Sequence, residues 1–400
     1  MLIHPNWRST EDNTVNRLRL TIVSYSFIAR DARVRRQIEY LRPHHDLTVI
    51  GYGDPDPAWT DVAWQRLELR ETALEKLTRN AFLTLRPALP PLYDLYYALR
   101  PLYRQTYALL MRSGANAIHA NDLSALPVCA EAARKLGAKL VFDAHEFAPL
   151  EQETPKFKRL ETPARVHLLK RYAQRADASI TVCEPIAERY MTEFGFRPIV
   201  IMNAPALQSP PDHTPAPDRI RLIHHGVFDP SRGFEQMVEA LSLADSRYEL
   251  HFMFVGNADA IARFRAQAET RAPGRVFFHD PVPTPQVVAT IAQYDAGFHY
   301  LTPVNYNTLI SLPNKFFDSV MAGHAVFIGA SPAMRSLISQ YGFGRAAPSF
   351  DPQDIAAMLN AVTYDDLRAM RAAARQARHE LNADVELAKL VRLYRGISDA

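Results

Sequence analysis

The sequence predicts an α/β protein of two facing, Rossmann-like, doubly wound domains with a cleft between them. Three observations carry this reading. Short apolar runs alternate with helical patterns through most of the chain. The alternation breaks once, at Ala204–Asp218, where five prolines rule out regular structure. It then resumes in a second half of similar make-up. Strands alternating with helices mean βαβ units, parallel strands and right-handed crossovers. The expected boundaries are a first domain at 1–204, a linker at 205–218 and a second domain at 219–382. A helix at 383–400 is expected to return to the first domain.

In the first half, Leu18–Tyr25 is a β-rich run, and Asp31 can cap a helix over Ala32–Leu41. Strands follow at Asp46–Gly51, Asn116–Asn121 and Lys139–Ala144, with a helix at Ser124–Leu136 between the last two. A basic helix over Lys156–Arg175 leads to strand Ser179–Cys183, helix Pro185–Phe194 and strand Ile199–Met202. Beyond the linker, strands are expected at Arg219–His224, Glu249–Gly256, Val276–Phe278, Gly297–Leu301, Ala325–Ile328 and Ala346–Ala347. Helices are expected at Gly233–Leu243, through Ala272, at Pro285–Tyr294 and from Asp351 onward.

Composition narrows the function classes. The 400 residues are 48% apolar and 22% charged, with a net charge of +3, as in an ordinary globular protein. That charge is too weak to argue for nucleic acid, but it suits anionic ligands or an anionic membrane surface. Two cysteines, Cys129 and Cys183, give no disulfide framework and fit a reducing cytosol. The polar stretch Met1–Arg19 has no apolar signal core, and no run of about 18 apolar residues could span a bilayer. A cytoplasmic protein, soluble or peripheral at the inner face of the membrane, is therefore expected. No Gly-x-Gly-x-x-Gly follows the first strand and no Walker-type loop is present, which disfavours dinucleotide oxidoreductases and P-loop enzymes. The histidines, including the pairs His44-His45 and His224-His225, show no metal spacing, and no metal or cofactor is expected.

The most informative stretch is Ser311-Leu312-Pro313-Asn314-Lys315-Phe316-Phe317-Asp318, followed by a Gly323 stop and a buried strand. It reads as a turn and a short helix, with Pro313 suited to the first helical position. Helix N-termini collect anions, because their first amides lack partners and the macrodipole is positive there. Lys315 adds a mobile positive charge, and Asp318, on the same face, can accept bonds from a vicinal diol. A diphosphate and a ribose would satisfy these groups.

Several anchors recur in order along the chain. They are Asp31-Ala-Arg33-Val34, Ile118-His119-Ala-Asn121-Asp122, Val141-Phe142-Asp143-Ala-His145-Glu146, Ile180-Thr181-Val182-Cys183-Glu184-Pro185-Ile186 and Asn203-Ala-Pro205. Gly226, then Arg232-Gly233, and the 311–318 stretch complete the set. In this the chain resembles GT-B glycosyltransferases, in particular the retaining group numbered family four. The resemblance implies transfer of a sugar from a nucleotide-diphosphate donor, UDP- or GDP-linked, to a glycan or lipid-linked acceptor, in polysaccharide or glycolipid biosynthesis. It implies donor binding in the second domain and acceptor binding in the first. By the same resemblance, Arg232 and Lys315 meet the diphosphate and Asp318 the ribose. Gly226, Ser311, Leu312 and Asn314 belong with them in the donor site. His145, Glu146 and Asp122 stand at strand ends on the acceptor side, as the candidate catalytic groups. The family's usual pair of glutamates is not conserved in kind: Ile310 stands at the first position and Asp318 at the second. Ser24–Ala29 replaces the usual Gly-rich loop. Two other classes stay open: a GT-B-fold epimerase of nucleotide sugars, and a non-catalytic relative that binds a sugar or partner.

Residues 79–112 interleave Tyr93, Tyr96, Tyr97, Tyr103 and Tyr107 with Arg86, Arg100 and Arg104 among leucines. Apolar bodies with aromatic rims and basic heads suit a membrane interface, and a helical pair packed on the first domain accounts for them equally well. Arg33 is placed either at the cleft or on the surface, and His119 within the structure rather than the site.

Overall fold

The computed structural model describes residues 17–68, 73–85, 90–300 and 302–398. In the first half the strands are β1 (Arg19–Phe27), β2 (Asp46–Tyr52), β3 (Ala63–Arg66), β4 (Ala117–Asn121), β5 (Lys139–Ala144), β6 (Ala178–Thr181) and β7 (Ile199–Val200). The helices are α1 (Ala32–Leu41), α2 (Ala73–Leu85), α3 (Pro90–Leu99), α4 (Pro101–Ser113), α5 (Asp122–Leu136), α6 (Thr162–Tyr172) and α7 (Glu184–Phe194). The strands form one parallel sheet in the order β3-β2-β1-β4-β5-β6-β7.

The second half repeats the plan. Its strands are β8 (Ile220–Val227), β9 (Tyr248–Val255), β10 (Val276–His279), β11 (Ala296–His299), β12 (Ala325–Ile328) and β13 (Gly344–Ala346). Its helices are α8 (Phe234–Leu243), α9 (Ala258–Arg271), α10 (Val287–Ile291), α11 (Tyr306–Leu309), α12 (Asn314–Met321), α13 (Pro332–Tyr341), α14 (Pro352–Asn360), α15 (Tyr364–Ala377) and α16 (Ala383–Ser398). The parallel sheet runs β10-β9-β8-β11-β12-β13. In both sheets the chain builds to one edge, returns past its start and builds the other. The switch points lie between β1 and β4 and between β8 and β11, where crevices open at the carboxyl ends of the strands.

The central strands are apolar runs because helices cover both of their faces. β4 is buried at every position and β5 at all but its first. Asp31 caps α1 as expected, accepting from the amides of Arg33 and Val34. β3 was not expected; its mostly exposed Ala-Trp-Gln-Arg sequence is that of a sheet edge. The basic segment is not one helix but a single π turn at Phe157–Glu161 leading into α6. Pro313 takes the extended cap position before α12 rather than the first helical position.

The Pro-rich segment carries no helix or strand, yet it is anchored. His213 bonds Asp295 at 2.7 Å, and buried Arg371 reaches Asp212 at 2.8 Å. Beyond it, α16 packs on the first sheet. Leu387, Leu390 and Tyr394 join Leu20, Ile22 and Val141 in one apolar cluster. Burying such side chains stabilises by about 1.5–3 kcal/mol each.

Candidate active site

The first wall of the cleft is built at the ends of β4 and β5. Asn121 closes β4, and Asp122 opens α5 with φ of +65°, the one non-glycine residue among those described with positive φ. A left-handed aspartate stores strain, and such strain concentrates at functional sites. The turn brings Asp122 Oδ2 to 3.4 Å from His145 Nδ1. On its other side, His145 Nε2 lies 3.1 Å from Asn121 Oδ1 and 3.2 Å from Asp143 Oδ2. Burial opposes the imidazolium, but Asp122 and Asp143 outweigh it and raise His145 to about 9. His145 is therefore cationic at neutral pH, with both ring nitrogens donating.

Asp143 is the fixed point of this wall. It is fully buried and receives both Nε and an Nη of Arg33, at 2.8 and 2.7 Å, and the amide of Gln37. Burial alone would raise its carboxyl; Arg33 and His145 hold it well below the usual carboxylate range. Arg33 thus faces neither the cleft nor solvent but forms a buried ion pair. His119 is structural, as expected: fully buried, its Nδ1 lies 2.6 Å from the Tyr394 hydroxyl of α16.

Asp122, His145 and Glu146 line a pocket of about 270 Å³ together with Glu151 and Arg165. Glu146 stays exposed at the mouth. Crowding by protein and the carboxylates of Glu151 and Asp122 push it up to about 7, a shift that water at the mouth screens in part. The same crowding raises Asp122, against the pull of His145.

The second wall is α12 resting on β8 and β11. Gly297 makes the contact possible, since a Cβ there would fall 2.2 Å from Ser319 Oγ. Phe316, Phe317, Val320 and Met321 bury the inner face of α12. Lys315 crosses the top of the sheet, and its Nζ lies 3.0 Å from His224 Nε2. Gly226 has φ of +118°, and a Cβ on it would stand 3.5 Å from that amine. Burial and nearby Arg232 draw Lys315 down to about 7, with Asp318 acting in the other direction. Asp318 Oδ2 lies 3.1 Å from His225 Nε2. Arg232, on a 3-10 turn before α8, is half exposed, with Asp229 at a loose 3.9 Å.

Between the walls, α11 bridges the two halves. The Asn307 side chain accepts from the Phe147 amide at 3.0 Å and donates to Glu146 Oε2 at 3.3 Å. Asn305 donates to the Glu151 carbonyl at 2.9 Å, and the Tyr306 ring lies under Arg189. Ile310 is buried in the apolar cluster of the first half. On the other side, Asn203 at the end of the first half donates to Asn314 Oδ1 at 3.0 Å.

The expected donor residues Gly226, Arg232, Lys315 and Asp318 are thus gathered on one wall, and Asp122, His145 and Glu146 on the other. Asn314 sits exposed at the start of α12. The Ser311 hydroxyl is spent on the Thr308 carbonyl at 3.0 Å, and the Leu312 side chain packs between the cores of the two halves. Asp143, His224, His225 and Asn307 were missed. The signal for the histidines was their position, two consecutive residues at the end of a strand that runs into Gly226. Among the described residues no cluster of His, Cys, Asp and Glu could hold a metal.

Two facing doubly wound sheets with the chain's last helix returned to the first define the GT-B fold. Residues 32–204 match the family model for Glycosyltransferase Family 4, in agreement with the resemblance carried by the motifs of the first half. The whole chain is similar in fold to HepE of Anabaena, solved in complex with UDP. That match has 15% identity and a TM-score of 0.67, and covers 94% of this chain and 99% of that one. Sucrose-phosphate synthase of Thermosynechococcus elongatus matches with 15% identity and a TM-score of 0.71, over 94% and 98% of the two chains. The lipopolysaccharide outer core galactosyltransferase WaaB, in its apo form, matches with 12% identity and a TM-score of 0.67, over 95% and 99%. No curated protein sequence gives a significant match.

Proposed function

We propose that this protein is a glycosyltransferase that moves a sugar, with retention, from a nucleoside-diphosphate donor to a glycan or lipid-linked acceptor. One observation carries the reading. Lys315, buried, and Arg232, half exposed, stand on the same wall at the switch point of the second sheet, near enough that Arg232 adds to the cost of charging Lys315. Asp318, the nearby carboxylate, is engaged by His225. Arg232 before α8 and the protonated form of Lys315 at the start of α12 favour an anion between them, and such an anion would in turn favour the Lys315 ammonium. A diphosphate leaving group gathers charge in the transition state, so the same groups lower the barrier. Gly226, Asn314 and Asp318 complete the donor wall, with Asp318 toward the ribose. Ser311 and Leu312 serve that wall through the shape of the turn rather than through their side chains.

On the acceptor wall His145 carries a proton at neutral pH, so it cannot take one from an acceptor hydroxyl. It serves as a positive charge facing the acceptor, with Asp122 and Asp143 keeping it charged, and its Nδ1–H, held by Asp122 only at 3.4 Å, is the one that can turn to a sugar oxygen. The acceptor's proton passes to the leaving phosphate oxygen, which fits retention without a strong base. Glu146, poised near neutrality, orients the acceptor. UDP is the favoured donor nucleotide, because HepE is a structure of similar fold in complex with UDP.

Peripheral contact with an anionic membrane through 79–112, at the inner face, belongs to the same reading. Tyr96 and Tyr97 are buried rather than displayed, while Leu85, Leu95, Leu99 and Arg104 are exposed. Arg86 and the side chain of Tyr93 lie outside the described residues. No helix among the described residues is long and apolar enough to cross a membrane. A lipid-linked acceptor in polysaccharide or glycolipid biosynthesis would follow from such contact.

Calorimetry with UDP and GDP, followed by assays of donor hydrolysis and transfer, tests the proposal. UDP binding that weakens in both Lys315→Met and Asp318→Ala is expected. Absence of binding of either nucleotide at high micromolar concentration would remove the donor site. Turnover of the donor sugar to its epimer without acceptor would favour the epimerase instead.

A further inference from the structure

The two histidines near the end of β8 have no ligand role in the reading above, yet each holds one of its donor-site residues. His224 is fully buried. Its Nδ1 lies 2.7 Å from the Phe298 carbonyl, which can only accept, so Nδ1 carries the proton. Nε2 is then a bare lone pair, and it meets Lys315 Nζ at 3.0 Å. The other ring neighbours of His224 are Phe234, Phe252, Phe254 and His299, none of which offers Nε2 a hydrogen. His299 is itself bonded to Ser319 at 3.0 Å. A neutral acceptor in this place is unusual for a lysine, which normally finds a carboxylate. It orients the ammonium without neutralising it, and so leaves the charge available to a ligand. Asp318, the carboxylate of α12, is bonded instead to His225 at 3.1 Å.

We infer that His224 is a positioning residue for the donor site, holding the Lys315 amine through a fixed Nδ1–H tautomer so that its charge is presented to the diphosphate. The inference rests on the donor reading of this wall. β8 would then supply, from consecutive residues on opposite faces, the supports of both functional residues of α12. A carboxylate in place of His224 would pair with Lys315 and cancel the charge; an apolar residue would free the amine to turn away.

The test is a double-mutant cycle on UDP affinity at fixed salt, using the full chain. His224→Leu is expected to weaken UDP binding about tenfold, and Lys315→Met by about ten- to a hundredfold. In the Lys315→Met background, His224→Leu should cost nothing further, because its effect runs through the lysine. His224→Gln, whose amide oxygen can stand where Nε2 stands, should restore most of the affinity. Additive losses in the double variant, or unchanged UDP affinity in His224→Leu, would overturn the inference while the donor reading stands. Nitrogen-15 spectra of the ligand-free protein decide the tautomer independently. A bare Nε2 at neutral pH is expected, and a protonated Nε2 overturns the inference. If the unaltered protein binds no UDP, the donor reading fails and the inference that rests on it falls with it, whichever tautomer the spectra report. Should His224→Leu fail to fold, His224→Phe, which keeps a flat ring but offers Lys315 no acceptor, takes its place in the cycle.

Discussion

At the scale of single residues, the two walls respond to pH with opposite sign. His145 is raised to about 9 from an ordinary value near 6.5. Its contribution to stability is complete below pH 6.5 and is lost as pH rises through 9. Lys315 is drawn down to about 7 from near 10.5. Between those values the unfolded chain binds more protons than the native one, so stability rises with pH as the cost of burying the ammonium disappears. Urea unfolding at pH 6, 7.5 and 9 is expected to show His145→Gln losing the alkaline decline and Lys315→Met losing the alkaline gain. Differences from the unaltered protein that stay constant with pH in both variants would refute the assignment. The buried pair Arg33–Asp143 gives a second prediction. Asp143→Leu leaves Arg33 uncompensated and should cost about 3–5 kcal/mol, whereas Asp143→Leu with Arg33→Met should cost less than the single change. Of these residues, His145 and Lys315 were legible in the sequence because each stands in a motif beside a strand end or helix start. Asp143 was quoted in its motif but not assigned, since only the fold brings Arg33, 110 positions away, onto it.

At the scale of elements, the sequence was readable wherever burial dictated residue type. β5 and β12 lie where their apolar runs placed them, and the Asp31 cap fixed the start of α1. It was least readable where packing is one-sided or irregular. β3 is polar because it is an edge, and the expected helix after Pro285 is only a 3-10 turn and the short α10. The segment read either as a membrane interface or as a helical pair packed on the first domain forms α2, α3 and α4, which turn Tyr96 and Tyr97 into the core. α16 is the element with the longest reach. Its Tyr394 hydroxyl meets His119, whose other nitrogen lies 3.7 Å from Asp143, which in turn meets His145. Tyr394→Phe keeps the ring packed but leaves His119 Nδ1 without its partner in a dry site, at a cost of about 1–3 kcal/mol. Thermal unfolding measures that cost. Because the chain of contacts ends on His145, the same substitution should also move the alkaline limb of activity. A limb that stays in place would confine Tyr394 to a packing role.

At the scale of the whole molecule, the question is what joins the two halves across the cleft. The sequence presented Ile310 as a missing acid in a donor-sugar site. The structure gives it a different occupation: 3% exposed, it sits in the core of the first half, and Cys183 Sγ lies 3.5 Å from its carbonyl. α11 reaches the same half through Asn305, Tyr306 and Asn307. This was not legible, because a contact between domains leaves no periodicity within either one. An apolar anchor also explains the departure better than a lost function does, since a carboxylate at this place would be buried without a partner. Ile310→Glu should therefore destabilise the protein by several kcal/mol unless the segment leaves its seat. In the second case small-angle scattering would record a larger radius of gyration for the ligand-free variant than for the unaltered protein. Either outcome should come with no gain in affinity for a UDP-sugar over UDP. A variant that unfolds like the unaltered protein, scatters like it and binds a UDP-sugar more tightly would mean that position 310 faces the donor after all. The bridge would then have to be carried by Asn305, Tyr306 and Asn307 alone.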